Sequence, residues 1–248
     1  MKEKLYTIPL NDAVAANDEC ALCNVVRSLE RDAIDFVVGP GASYMESDIR
    51  EATDKTGFCK HHLQMMFEYG NSLGNALILK THVIKMQQDL KREMAGFKPG
   101  KAGLFSKSEE SKLERYLSDY EDSCYVCNYY EDTYKRYIDT FFYLYANDSE
   151  FEKKVKEGKG FCLHHMKDLI KAAPSHLKKD KCDEFCEVLF ELQERNIKRI
   201  EEDISWFVDK FDYRYKDADW KNSKDAIPRT IQKIVGGYPA DGPYKESK

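Results

Sequence analysis

Two short phrases occur twice in this chain. "ECALCNVV" begins at Glu19 and "SCYVCNYY" at Ser123; "GFCKHH" begins at Gly57 and "GFCLHH" at Gly160. Cysteine thiolates and histidine nitrogens are the ordinary ligands of zinc, and four of them close a tetrahedral structural site. In a Cys-x-x-Cys at a helix start the two thiols lie one turn apart on one face. The unpaired backbone N–H groups there favour the thiolate. In Cys-x-x-His the residues at i and i+3 again share a face, and Gly57 lets the chain turn sharply into the helix. The spacing therefore predicts two Cys3His sets. Cys20, Cys23, Cys59 and His62 form the first, and Cys124, Cys127, Cys162 and His165 the second, with two Zn2+ ions per chain.

The offsets mark a duplication. Cys20 to Cys124 and Cys23 to Cys127 are both 104 positions, while Cys59 to Cys162 and His62 to His165 are both 103. His61 and His164 sit at i+2 from their cysteines and point away from the ligand face. Asp18 and Asp122 stand where they would cap the two Cys-x-x-Cys helices. Cys182 and Cys186 fall on an apolar helical stripe and read as core thiols.

An iron–sulfur cluster is the alternative occupant, since thiolates are its usual ligands. Ferredoxin-like clusters draw three cysteines from one tight loop, however, and here the ligands come in two pairs. A thioredoxin-like dithiol needs a βαβ pattern, which is not seen. Haem attachment needs a histidine directly after the second cysteine, where Asn24 and Asn128 stand.

The elements that must carry these phrases are helices. Apolar residues from Cys20 to Val37 recur at 3–4 spacing, and "GPGAS" at 39–43 stops that helix. Further helices are expected over about 58–69, 73–94, 124–145, 161–173 and 181–211, with short polar ones before Gly57 and Gly158. The long helix from 181 carries a stripe through Leu189, Ile197, Ile200, Ile204 and Phe207. A short C-terminal helix has Pro228 in its first turn. "GFKPGKAGLFSKS" at 96–108 reads as a linker, Ser108 and its neighbours open another helix, and the last eight residues read as disordered. The expected fold is all-α: a duplicated helical bundle of two pseudo-symmetric halves, each pinned by a Cys3His metal site. Residues 1–98 and 99–212 form the halves, and 213–248 a covering segment and tail.

Charged residues make up 33% of the 248 residues and the net charge is −5, which argues against a nucleic-acid binder with a basic stripe. No stretch approaches a membrane span, and no secretory run opens the sequence. A cytoplasmic protein is expected, in which eight cysteines serve as metal ligands or buried thiols.

The doubled Cys-x-x-Cys and Gly-Phe-Cys-x-x-His pattern resembles an uncharacterised bacterial family found mostly in anaerobic Gram-positive lineages. The resemblance runs from about Glu19 to the C-terminal region. It implies a soluble helical protein and a ligand role for Cys20, Cys23, Cys59, His62, Cys124, Cys127, Cys162 and His165, and it names no activity.

"NYYEDTYKRYIDTFFYLY" places rings on several helix faces. It reads as an aromatic core, or more sharply as a pocket for a flat ligand or a partner helix, covered by the C-terminal segment. No phosphate loop, nucleophile elbow or His-Glu-x-x-His motif is present, so no catalytic group is assigned. The leading expectation is a zinc-stabilised binding or interaction protein with an unidentified small-molecule or protein partner. The alternative is an iron–sulfur enzyme or electron carrier.

Overall fold

The structure, a computed structural model, describes residues 3–98 and 110–237. The described residues form eleven α-helices and no strands, so the all-α expectation holds. The helices are α1 (Glu3–Ala15), α2 (Ala21–Val38), α3 (Ser47–Thr56), α4 (Lys60–Tyr69), α5 (Ser72–Ala95), α6 (Lys112–Glu121), α7 (Tyr125–Asn147), α8 (Ser149–Glu157), α9 (Leu163–His176), α10 (Lys179–Asp209) and α11 (Ala226–Val235). No described helix is long and apolar enough to cross a membrane.

Local chemistry sets many of the helix ends. Asn71 caps α5 through Gly74 N–H, and Asp148 caps α8 through the N–H groups of Glu150 and Phe151. Ser111 and Glu114 form a complete capping box on α6. Two details depart from the sequence. Helix α1 runs through Pro9 and fully buries only Leu10 and Ala13 of its face, so its period is too weak to read from the sequence. Helix α9 runs past Pro174 instead of stopping before it. Proline removes one N–H bond there, but Leu177 N–H still donates to Ala173 O and Ser175 Oγ donates to Ala172 O. Most of the linker expected at 96–108, Ser108 and the last eight residues lie outside the described residues.

The chain divides into two compact units, Met1–Ser28 with Thr133–Lys248, and Leu29–Asp132. These are not the linear halves 1–98 and 99–212. The boundaries fall inside α2 and α7, so each of those helices contributes residues to both units.

In the first unit α10 packs on α8, α9 and α11. Phe141 of α7 is fully buried and meets Phe142, Phe151, Phe161 and Phe185 edge-on at 5.4–6.3 Å. Tyr137, Phe142 and Tyr145 are buried with it. Four of the eight rings of the aromatic run are therefore core, and the core runs directly into the second phrase through Phe161. The buried face of α10 is Phe185, Leu189, Leu192, Gln193, Asn196 and Ile200. It shares Leu189 and Ile200 with the stripe expected from hydropathy, but Ile197 is 45% exposed and two amide side chains are inside. Cys182 and Cys186 are half-buried.

In the second unit Ala33, Ile34, Val37 and Val38 of α2 pack with Met66, Ile78 and Val126 around Cys124. Tyr44, Phe58, Met65, Tyr125 and Tyr130 border that cluster. α5 lies against α3, α4 and α6.

Phe141→Ala removes the ring on which four others converge, and is expected to cost about 3–5 kcal/mol in denaturant unfolding. Cys182→Ala, at a half-buried position, is expected to cost under about 1 kcal/mol. Equal effects in the two variants would refute this placement of the core.

Candidate metal centres

Each second phrase builds its corner in the same way. Gly57 and Gly160 take positive φ, +62° and +77°, and turn the chain so that Cys59 and Cys162 become the N-cap residues of α4 and α9. The Cys162 Sγ accepts the His165 N–H at 3.4 Å, so the thiol occupies the place of a capping oxygen. The histidine then falls at the third helical position with its ring over the cysteine.

The structure brings all eight expected residues together in two groups of four, but the phrases are exchanged. One group is Cys20, Cys23, Cys162 and His165, and the other is Cys59, His62, Cys124 and Cys127. The expected partners, Cys20 and Cys23 with Cys59 and His62, do not meet. Helix geometry supplies the reason. Where α2 meets His62 it does so with Glu30, about three turns beyond Cys20, so its own Cys-x-x-Cys is out of reach of that histidine. Each compact unit still contains one Cys3His set.

The spacing within each group is that of a four-coordinate ion. In the first, His165 Nδ1 lies 3.3, 3.4 and 3.2 Å from the sulfurs of Cys20, Cys23 and Cys162, and the sulfurs of Cys23 and Cys162 are 3.6 Å apart. In the second, His62 Nδ1 lies 3.2, 3.2 and 3.5 Å from those of Cys59, Cys124 and Cys127. A zinc tetrahedron with bonds of about 2.3 Å to sulfur and 2.0–2.1 Å to nitrogen has edges of about 3.8 Å (S···S) and 3.5 Å (N···S). Both groups match within a few tenths of an ångström, and both histidines present Nδ1.

Within each group the four side chains share protons among themselves. Burial disfavours charge on both histidines. The bonds of His62 to Cys124 and Glu30, and those of His165 to Cys162 and Cys20, outweigh it and raise each pKa to about 10. Cys124 is lowered to about 3, first by its bond with Cys127, and Cys162 is driven well down, first by its bond with Cys20. Cys127 and Cys23 are pushed far up, first by their bonds to those same thiolates. A divalent cation would replace these protons.

Outer groups hold the ligands. The Glu30 Oε1 lies 3.3 Å from His62 Nε2, which fixes the proton there and leaves Nδ1 for a metal. Burial pushes the Glu30 carboxyl up, but the bonds from His61 and His62 prevail and lower it to about 2. The duplication puts Tyr134 at the counterpart of Glu30, 104 positions on. Its hydroxyl donates at 3.0 Å to Asp168, a carboxylate grouped with His164 and His165. His61 and His164, both 59% exposed, lie beside Glu30 and Asp168, outside the two sulfur groups, as their i+2 positions predict.

The first group also has a polar frame that hydropathy could not reveal. Gln193 accepts the Phe161 N–H at 3.2 Å and donates to Phe161 O at 2.8 Å, clamping the chain beside Cys162. Lys233, 3% exposed, donates to Glu19 O and to Lys159 O, both at 2.6 Å, so one ammonium ties the entrances of both phrases. Burial lowers its pKa, against the attraction of Glu19 and Cys20. Arg199 donates to the buried Glu19 carboxylate at 2.5 Å, and Arg229 pairs with Asp203 at 2.8 Å. Gly236, just past α11, lies over the group: a Cβ there would stand 3.4 Å from Cys162 Sγ and 3.6 Å from Cys23 Sγ. The C-terminal segment thus lies over a candidate metal centre, where the sequence suggests a cover for the aromatic surface. In the second group the two phrases are joined by a backbone bond, Tyr125 N–H to Gly57 O at 2.9 Å. His82 fills the space beside Gly57 and pairs with Tyr120 OH at 2.8 Å.

Asp18 and Asp122 do not act as expected. Asp18 accepts the Glu19 N–H and a bond from Gln232, and Asp122 closes the end of α6.

The model of a family described as "Family of unknown function (DUF6062)" matches residues 1–241. The chain belongs to this family. This agrees with the resemblance to an uncharacterised family, and the family description assigns no activity. No curated protein and no solved structure matches the chain.

Removing the carboxylate behind His62 tests the outer layer. Glu30→Gln is expected to weaken metal binding at the Cys59 set about 10- to 100-fold, with the Cys20 set unchanged and His61→Ala near wild type. Competition with a chromophoric chelator at neutral pH measures this. Equal weakening at both sets, or none at either, would contradict it.

Proposed function

We propose that this DUF6062 protein is a zinc-stabilised helical interaction protein whose two metals are structural. The observation that carries the reading is the closed Cys3His geometry of both groups, with four protein donors at the edge lengths of one tetrahedral ion. A catalytic zinc keeps a position for water or substrate, and four protein ligands leave none. The same distances count against the iron–sulfur alternative. A cluster distributes its cysteines over several irons bridged by sulfide, which forces the ligand atoms further apart than 3.2–3.6 Å. The zinc would neutralise the protons' role in each group and fix two pairs of helix starts. Glu30, Gln193 and Lys233 orient the chains that supply the ligands.

The interaction role rests on what the helices leave outside. Phe67 on α4 is 81% exposed and Leu73 on α5 63% exposed. Helix α11 buries Arg229, Gln232 and Lys233 while Ile227, Ile234 and Val235 face solvent. Apolar surface of this kind, on an acidic chain, suits a protein partner better than nucleic acid. The rings of the α7 cluster are mainly consumed by packing, so a flat-ligand pocket there has little support. The absence of a described spanning helix is consistent with a cytoplasmic chain.

Elemental analysis and native mass spectrometry of protein purified without added metal test the assignment. Two zinc ions per chain and no acid-labile sulfide are expected. One metal or none, or iron with sulfide and visible absorbance, would overturn it.

A further inference from the structure

The two groups differ in one respect that matters chemically. Cys20, Cys23 and Cys162 are at most 2% exposed, and the segment Lys233–Gly236 lies across them. Of the other group's cysteines only Cys124 is buried to that degree, and Cys59 and Cys127 are only partly buried. The covering helix α11 follows the duplicated region and occurs once in the sequence, so the duplication supplies one centre with a cover. We propose that the Cys59–His62–Cys124–Cys127 centre is a modification site for peroxides, releasing its zinc on oxidation while the Cys20–Cys23–Cys162–His165 centre keeps its own. This rests on the reading of both groups as zinc sites.

Thiolate character and access together decide which cysteines oxidise. Zinc keeps all six sulfurs as thiolates, so access discriminates. The sulfur of a partly buried cysteine, Cys59 or Cys127, attacks one peroxide oxygen. The S–O bond forms, the O–O bond breaks, and the leaving oxygen takes a proton and departs as water or an alcohol. A neighbouring thiolate of the same group then attacks the sulfenic sulfur. The S–S bond forms, the S–O bond breaks, and the hydroxide takes a second proton as water. Two thiolates lose two electrons, the peroxide gains them, and the group keeps one thiolate and one imidazole, too few donors to hold the ion. A thiol reductant reverses the disulfide and restores the set. The Cys162 sulfur, under Gly236 and within 3.6 Å of Cys23, offers a peroxide no comparable approach.

Zinc-loaded full-length protein is treated with hydrogen peroxide under a chromophoric chelator, and cysteines are mapped by mass spectrometry. Zinc content is measured first, so a starting value below two per chain would count against the zinc assignment itself. From two, the expected course is fast release of one zinc, at least about tenfold ahead of the second. A disulfide should form among Cys59, Cys124 and Cys127, with Cys20, Cys23 and Cys162 unmodified. Dithiothreitol with zinc should restore the starting state. Lys233→Met, which removes both entrance bonds of the covered centre, should bring the two release rates closer together. Equal rates in the wild type, first release from the Cys20 group, or no release would each overturn the proposal.

Discussion

The structure depends on one constraint: each Cys3His group is closed by one Cys-x-x-Cys phrase and one Cys-x-x-His phrase drawn from different occurrences of the repeated pattern. In the first group Cys20 and His165 are 145 positions apart, and in the second His62 and Cys127 are 65 apart. Closing such distances costs chain entropy, which grows slowly with length, and structural zinc supplies on the order of 10–16 kcal/mol of apparent binding energy. That is comparable to the whole net stability of a domain. With the phrases exchanged, neither linear half can complete a site from its own ligands, and the compact units follow the sites instead of the halves.

Around that constraint the two centres are finished differently. The second is held by a carboxylate from α2 and by a main-chain bond between its phrases. The first uses a tyrosine at the duplicated position, a carboxylate from α9, a clamping glutamine and a buried lysine. In both, an N-cap cysteine and a positive-φ glycine two residues earlier form the corner, and at Cys162 the thiol also accepts a helix N–H. The differences lie in how each corner is buried, and burial separates a sheltered sulfur from a reachable one.

The phrases made the ligand residues and the helical class legible, because ligand spacing and a 3.6-residue period are local properties. Which phrases meet is not local. Two identical pairs of phrases admit two pairings, and the choice is made by where α2 passes His62, through Glu30. The same limit explains α10 and α11. Their buried faces carry Gln193, Asn196, Arg229 and Lys233, which reach Phe161, Gly158, Asp203 and Glu19 respectively, 26 to 214 positions away. Hydropathy assigns such residues to solvent, so Gln193 and Asn196 are missed beside the correctly expected Leu189 and Ile200, while Ile197 lies outside. Helix α1 is missed in the same way, since a helix held by two buried residues leaves a weak period.

The exchange of ligands is the central claim, and cysteine protection tests it most directly. In Cys59→Ser protein, differential alkylation under native conditions reads which remaining thiols lose their metal. The exchanged pairing predicts that Cys124 and Cys127 become reactive while Cys20, Cys23 and Cys162 stay protected. Reactive Cys20 and Cys23 beside protected Cys124 and Cys127 would show that each half closes its own site, and would contradict the account.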